Sequence, residues 1–555
     1  MPYKSDFPPV PLPTEAFGQT ILNALWKHSV EMPEKAAFID GVNQTKTMDF
    51  KTIYIQSLSV SAYLRKIHFG HGDVACLVMP NCFEFVPIFA GIALNGGAMS
   101  GASFQFTEFE LERQFYDCKC SVVFCTDESM SKVLNVSKKC SFIKKIIVAS
   151  QETLIDLPFG VAHITEAYDC QPNTHNHQVD MDIKRDILLL PYSSGTTGSP
   201  KGVMLSHFNF GTVMTIYETH FNKMITPYIG CDFKDEVHLI IAPLYHMVGF
   251  SSAIAALLRG STSVFFDHFE PHTFLKAVQD YKIKFLQVVP PLMVFISKSS
   301  IVDQYDLSSV IMVGTGAAPT GKEICEDVRR RLPNVKHITQ GYGMTELTTA
   351  SHLHTVCEKD EKYGNSGKLC PNLEMMVVDI ETKKEVKEGE KGELWIRGPT
   401  VMMGYLNRPQ ATADTIDDDG WLHTGDIGYV DNDGFLYVVD RLKELIKVKG
   451  LQVPPAELED LLLTHPQIAD AGVVGIPDDR DGEHPLAFVV TKNENLTEKE
   501  VQDFVKERAA KYKQLLGGVV FIRQIPKSPA GKILRRYLKD EALTIQNARN
   551  KSAKI

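Results

Sequence analysis

The stretch Tyr192-Ser-Ser-Gly-Thr-Thr-Gly-Ser-Pro-Lys-Gly-Val203 sets five Ser/Thr hydroxyls, three glycines and one lysine within twelve residues. Just before it, Ile187-Leu-Leu-Leu190 reads as a short buried strand, so the polar run reads as a loop at a strand end. Glycines let a backbone come close to phosphate, and exposed N–H groups and hydroxyls donate to its oxygens. Lys201 adds a mobile positive charge suited to a triphosphate. Composition alone would fit a solvated surface loop, but strand, glycines and lysine come in the order of a phosphate loop. The common P-loop needs Gly directly before Lys and Ser or Thr directly after it. Here Pro200 precedes Lys201 and Gly202 follows, so no helix starts in the P-loop manner.

Outward from this loop, residues from about 70 to 350 alternate apolar strands with helix-like segments. Asp73–Met79, Ser121–Cys125, Ile146–Val148, Val237–Ala242 and Phe285–Val289 read as strands, and Phe83–Leu94 as a helix. Such alternation predicts a layered, largely parallel α/β domain. After about Asp379 short strands alternate with turns, as in Gly392–Gly398 and Phe435–Val439, with Asp433-Gly434 as a hairpin signal. This predicts a small β-rich unit closing the large domain. At Asp440-Arg-Leu-Lys443 the chain restarts as an α+β piece of about 115 residues. Pro454–Leu463 reads there as a proline-led helix, and Ala471–Ile476 and Leu486–Val490 as strands. The domains are therefore 1–439 and 440–555.

A chain of 555 residues needs more than one core. Its 44% hydrophobic and 23% charged residues are those of a soluble globular protein. A net charge of −10 without a long basic run argues against nucleic-acid binding. The eleven cysteines include Cys118, Cys120 and Cys125, but Cys-x-Cys is not a usual zinc spacing and no His pair follows. Met1–Pro13 is proline-rich and does not read as a signal peptide, so reduced thiols in an intracellular compartment are expected. The most apolar stretch, Ser251–Phe266, is broken by Arg259-Gly260 and is too short to span a bilayer.

Further segments have the chemistry of nucleotide binding. Gln340-Gly-Tyr-Gly-Met-Thr-Glu346 places glycines about an aromatic, then a hydroxyl, then an acid. Tyr342 is suited to stack on adenine, Thr345 to meet the α-phosphate and Glu346 to hold Mg²⁺ through oxygen. The small residues of Gly314-Thr-Gly-Ala-Ala-Pro319 let a flat base approach the main chain. The carboxylate of Asp426 can accept from both hydroxyls of a ribose.

Together these segments resemble the adenylate-forming superfamily, in particular its acyl-CoA synthetase, 4-coumarate–CoA ligase and luciferase-like group, from about residue 20 to residue 540. The resemblance implies that Ser193, Ser194, Gly195, Thr196, Thr197, Gly198 and Lys201 hold the ATP phosphates, with Thr196 and Glu346 at Mg²⁺. It places Gly316, Ala317 and Ala318, with Gln340, Gly341, Tyr342, Gly343, Met344 and Thr345, around the adenine and α-phosphate, and Asp426 and Arg441 at the ribose. It sets His246 beside the acyl carboxylate and makes Lys532, in Pro526-Lys-Ser-Pro-Ala-Gly-Lys532, the adenylation lysine. Within Ile446–Gln452, Lys449 and Gly450 would meet CoA, and Lys447 and Gln452 the nucleotide. The implied cycle forms acyl-AMP, turns the small domain about Asp440, then forms acyl-CoA.

The expected activity is thus an ATP-dependent carboxylate–CoA ligase. Alternatives are a luciferase-like adenylating oxidoreductase and a non-catalytic nucleotide-binding scaffold. Leu275–Ile283, Asp303–Ser308 and Gly517–Phe521 resemble luciferases locally, but Tyr217–Asn222 lacks the arginine that luciferases keep there. Coumarate-type ligases often have Tyr near Val248 and Gly-Pro just after the Glu, where this chain has Val248 and Leu347-Thr-Thr349. A medium, long or branched fatty acid is therefore the expected substrate. Ala553-Lys-Ile555 resembles a variant of the peroxisomal address Ser-Lys-Leu, so a peroxisomal import receptor is an expected partner.

Overall fold

The computed structural model describes residues 2–149, 157–172, 179–193, 200–318, 320–356, 362–449, 451–478, 480–492, 495–528 and 531–552. The side chains of Gln452 and of residues 547–552 are outside that description.

At the centre is a mainly parallel sheet whose strands run in the spatial order Val161–His163, Lys145–Val148, Val122–Cys125, Val74–Val78, Ala98–Ala102, Ile187–Leu189. Their apolar runs are buried almost without interruption, as expected of parallel strands covered on both faces. Helices Phe17–Glu31, Phe50–Lys66 and Phe85–Leu94 cover one face through Leu25, Ile53, Val60 and Phe89. Beyond Ile187–Leu189 the sheet turns antiparallel, through Lys201–Ser206 and Tyr192–Ser193.

The two ends of the segment read as a loop after a strand are therefore paired antiparallel strands, Ser193 opposite Lys201 and Tyr192 opposite Gly202. Residues 194–199 lie outside the described residues. The Ser/Thr/Gly-rich run after a strand did not reveal the antiparallel return, which depends on pairing with Ile187–Leu189.

A second sheet joins Val237–Ile240, Thr262–Phe265 and Ala36–Asp40 in parallel, with Thr47–Asp49 antiparallel at its edge. Next to it, Phe285–Val288, Met312–Thr315 and His337–Gln340 form a parallel trio. Buried Glu236 joins the two, one carboxylate oxygen accepting from the N–H groups of Lys284 and Phe285. The apolar stretch Ser251–Phe266 divides between helix Met247–Arg259 and strand Thr262–Phe265, and Gly260 supplies the left-handed turn between them at φ +78°. Among the described residues no helix is long and apolar enough to cross a membrane.

The β-rich unit is an antiparallel sheet of Glu374–Val378, Gly392–Arg397, Leu422–Val430 and Leu436–Arg441, with Tyr3–Lys4 added at its edge. The last strand ends beside Asp440-Arg441, and a new sheet then begins. In it Leu451–Val453, Ile446–Val448, Gly482–Thr491 and Ile468–Asp478 pair antiparallel, and Gly518–Phe521 adds in parallel. Helices Pro455–Leu463 and Glu498–Arg508 fill one face through Leu458, Leu462, Val501 and Val505, while Leu538 of helix Arg535–Ser552 packs on the other against Val474 and Phe488. The fold is α/β, a large layered N-terminal domain followed by a small α+β C-terminal one.

Candidate active site

The base of the hairpin is where charge gathers. Strand Gly404–Tyr405 pairs with it, Tyr405 opposite Val203, and Leu406 N–H donates to Gly202 O at 2.8 Å. The Lys201 ammonium lies 4.7 Å from the centre of the Tyr405 ring. The Tyr405 hydroxyl donates to Glu346 Oε1 at 2.9 Å, and both groups are buried. Met402 N–H donates to Glu346 O at 2.9 Å, and the Thr348 hydroxyl to Thr400 O at 2.6 Å. The segment 400–405 thus ties the hairpin to the Glu346 loop. One Glu346 oxygen is oriented by a phenol, and a carboxylate so placed fits Mg²⁺, which takes one or two carboxylates and completes its shell with phosphate oxygens and water. Thr196, the other expected metal contact, lies outside the described residues, as do Ser194, Gly195, Thr197 and Gly198.

Between them runs the Gly-Tyr-Gly turn. A Cβ on Gly343 would lie 1.9 Å from Thr349 O, so no side chain fits there. Thr349 itself has φ +109° and Thr348 φ +56°, an arrangement costly for β-branched residues and typical of functional sites. The Thr349 hydroxyl lies 2.7 Å from that of buried Ser251, which ties this strained turn to the helix following His246. Gly341 N–H donates to Thr315 O at 3.0 Å, bringing Gly316, Ala317 and Ala318 beside the turn, Ala317 with φ +75°. Gln340 braces this crossing: its amide accepts from Thr320 N–H at 3.2 Å and donates to Thr320 O at 3.1 Å. Met344 and Thr345 are half-buried beside it.

Asp426 and Arg441 face each other across adjacent strands, Arg441 Nε 3.0 Å from Asp426 Oδ1. The Tyr342 hydroxyl donates to Asp426 Oδ2 at 2.6 Å. Burial, then the Asp426 charge, holds that phenol well above its ordinary pKa, so it remains a donor. The three side chains form one constellation, as an aromatic and a hydroxyl clamp for a nucleoside require.

His246 is held by its loop. Asn81, at the end of strand Val74–Val78, donates to Ala242 O at 3.2 Å and Phe266 O at 2.9 Å and accepts from Leu244 N–H at 2.7 Å. The buried His246 Nδ1 has no hydrogen-bond partner. Burial, and then the Lys532 charge, lowers its pKa, so the ring is neutral at pH 7. Lys532 comes to this point from the C-terminal domain. Burial, followed by the Arg441 charge, lowers its pKa to about 8. Gly531 before it has φ +79°, and a Cβ there would meet Pro291 at 2.7 Å, so the lysine turn lies directly on the large domain. Sequence reasoning brought out Lys532, Asp426, Arg441 and His246 but missed Tyr405 and Asn81, whose partners lie far along the chain.

The other C-terminal candidates are elsewhere. Lys449 lies 3.4 Å from Asp481 and is exposed, with φ +52°, and Lys447 is exposed with its N–H donating to Glu483 at 2.8 Å. None of these contacts joins them to the Tyr342–Asp426–Lys532 group. Gly450 and the Gln452 side chain lie outside the described residues.

At the junction, Asp440 accepts from Arg441 N–H at 2.7 Å and from Ala456 N–H at 3.0 Å, capping helix Pro455–Leu463 where Pro454 offers no side-chain cap. Arg535 pairs with Glu444 at 2.7 Å and Glu459 at 2.6 Å beside it. On the facing surface Gly321 starts helix Lys322–Arg331, and a Cβ there would lie 3.1–3.3 Å from the Asp460 carboxyl group. Burial, then Glu323, pushes Asp460 up to about 7.

An AMP-binding enzyme family model matches residues 25–406, and the model of the AMP-binding enzyme C-terminal domain matches 457–532. A 4-coumarate–CoA ligase of Vanilla planifolia is 41% identical over 88% of each chain. A probable 4-coumarate–CoA ligase of Dictyostelium discoideum is 38% identical over 97% of each. Among solved structures, o-succinylbenzoate–CoA synthetase from Bacillus subtilis with its acyl-adenylate intermediate is 26% identical at TM-score 0.76, covering 93% of this chain and 98% of that one. ATP-bound MatB from Rhodopseudomonas palustris shares the fold at TM-score 0.81 and 22% identity, covering 94% and 98%. The chain belongs to the AMP-binding enzyme family, in its adenylate-forming acyl-CoA synthetase and 4-coumarate–CoA ligase group, and is an AMP-forming acid–CoA ligase.

Proposed function

We propose that this ligase activates an apolar acid in two half-reactions at one site, and that the arrangement described above is that of the first. One observation supports this most: Lys532 lies among His246, Asp426 and Arg441, while Lys449 is engaged with Asp481. The acid's carboxylate lies between the neutral His246 ring and the Lys532 ammonium. Its oxygen attacks the α-phosphorus of ATP, the bond from that phosphorus to the bridging oxygen breaks, and pyrophosphate leaves. Lys532 balances the negative charge of the carboxylate and bridging oxygen. His246 orients the acid and needs no proton, since a carboxylic acid is already ionised at neutral pH. Thr345 and the hairpin hydroxyls donate to phosphate oxygens, and Asp426, Arg441 and Tyr342 hold the nucleoside. Mg²⁺, held by Glu346 and Thr196, would neutralise phosphate charge.

In the second half-reaction residues 440–555 turn about Asp440 and bring Lys449 and Gly450 over the adenylate. The CoA thiol then attacks the acyl carbonyl and AMP leaves. Lys532→Ala is expected to abolish most pyrophosphate exchange while sparing thioester formation from supplied acyl-adenylate. Lys449→Glu is expected to do the reverse. Equal loss of both half-reactions in the Lys449 variant would sink the domain alternation.

For the substrate we favour a medium, long or branched fatty acid. Val248 and buried Leu347 and Ala350 beside the site support an apolar acyl group. An aromatic acid is the second reading, favoured by the 4-coumarate–CoA ligases among the relatives. AMP release measured over fatty, branched and hydroxycinnamic acids, with and without CoA, separates the two. CoA-stimulated turnover confined to hydroxycinnamates would overturn the fatty-acid assignment.

The terminal Ala553-Lys-Ile555, outside the described residues, is proposed to address the enzyme to the peroxisome. A fluorescent N-terminal fusion is expected in peroxisomes and its Lys554→Glu variant in the cytosol. A cytosolic wild-type fusion would leave the tripeptide as a mere tail.

A further inference from the structure

Tyr405 is absent from the phosphate, nucleoside and acyl groups named so far, yet it touches two of the site's charges at once. Its place is fixed by the backbone. It pairs with Val203 in the hairpin's second strand, its N–H donates to the Thr412 hydroxyl at 2.9 Å, and Met403 N–H donates to Met204 O at 2.9 Å. From this fixed point the ring lies beneath the Lys201 ammonium, 4.7 Å from ring centre to nitrogen, and the hydroxyl reaches Glu346 Oε1 at 2.9 Å. An ammonium over an aromatic face is attracted by the ring's quadrupole, and a phenol donating to one carboxylate oxygen fixes the plane of the other. Met402 N–H and Thr400 O hold the Glu346 loop from the neighbouring residues, so phenol and carboxylate cannot drift apart independently.

We propose that Tyr405 is a positioning residue of the adenylation step: it sets the Lys201 ammonium and the Glu346 carboxylate in one register, so that a triphosphate and its Mg²⁺ meet both at once. Removing the hydroxyl frees the carboxylate to rotate but leaves the lysine seated, and removing the ring frees both. The proposal rests on Glu346 as the protein's Mg²⁺ ligand.

The test is calorimetric titration of ATP into the full chain at a series of Mg²⁺ concentrations, for the wild type, Tyr405→Phe, Tyr405→Leu and Glu346→Gln, with thermal unfolding of each. Tyr405→Phe is expected to raise the Mg²⁺ concentration for half-maximal ATP affinity about tenfold. It should leave ATP affinity without Mg²⁺ unchanged. Tyr405→Leu should in addition weaken Mg²⁺-free ATP binding by roughly threefold, the loss of one cation–π contact. If Glu346→Gln raises the Mg²⁺ requirement and Tyr405→Phe does not, the coupling through Tyr405 is overturned and the metal assignment stands. If Glu346→Gln leaves the Mg²⁺ requirement unchanged, the metal assignment fails and takes the coupling with it. Equal weakening with and without Mg²⁺ in Tyr405→Phe, alongside a lower melting temperature, would reduce Tyr405 to a packing residue.

Discussion

At the scale of single residues, Lys532, the proposed adenylation lysine, shows what burial does to a charge. Its ammonium is held at a pKa of about 8 by burial and by Arg441, so in the free enzyme it begins to lose its proton just above neutrality. Since kcat/KM reports the free enzyme, adenylation measured that way is expected to fall as pH rises past 8. The kcat profile should stay flat to higher pH, because bound carboxylate and triphosphate favour the charged amine. Lys532→Ala should lower pyrophosphate exchange by roughly 10²- to 10³-fold and remove the alkaline limb; a limb unmoved in Lys532→Arg would assign it to another group. Lys532, Asp426 and Arg441 were legible because each sits in a short local motif. Tyr405 was not, because its meaning comes from Lys201 and Glu346, brought to it by strand pairing and loop contact over 59 residues in the case of Glu346. Gln340 was legible as part of the site but not in its part: an amide that clasps Thr320 from both sides serves the turn.

At the scale of elements, the Gly-Tyr-Gly turn and the hairpin set the geometry the side chains use. Gly343→Ala would place a methyl carbon 1.9 Å from Thr349 O, which the strained Thr348-Thr349 backbone has no room to accept. The expected outcome is loss of ATP binding by calorimetry together with a melting temperature several degrees lower. A variant that binds ATP normally would show that the turn can open without harm. Strand and helix boundaries in the parallel layers followed from apolar runs, since strands covered on both faces have few polar interruptions. The hairpin did not follow so easily. Tyr192-Ser193 is a two-residue strand whose identity depends on Gly202 and Lys201 across from it, and local composition does not encode such a partner.

At the scale of the whole molecule, buried histidines in the large domain and buried carboxyls at the junction respond to pH in opposite directions. Burial lowers His207, His220 and His354 to about 4 and His238 and His352 to about 3. The unfolded chain takes up protons as pH falls through about 6.5 while the folded one does not, so these groups contribute stability that is full above that pH and lost below it. Glu459 and Asp460, raised to about 7, have the opposite sign, contributing stability at low pH that is lost as pH rises through 7. His207 isolates the first effect, since its Nδ1 accepts the Phe17 N–H at 3.1 Å and must stay unprotonated to do so. In His207→Gln the urea midpoint should fall less steeply than in the wild type between pH 7 and 4. Parallel curves would show that His207 keeps its proton balance on unfolding.

The contact between Gly321 and Asp460 bears on the second domain posture proposed above. Gly321 lies close against the small domain: a Cβ there would lie 3.1–3.3 Å from the Asp460 carboxyl group, which would have to give by a few tenths of an ångström. A larger side chain there would act as a wedge far from any reacting atom, holding the small domain off the large one without altering a single group that touches substrate. Such a wedge offers a way to trap and crystallise the proposed thioester-forming posture.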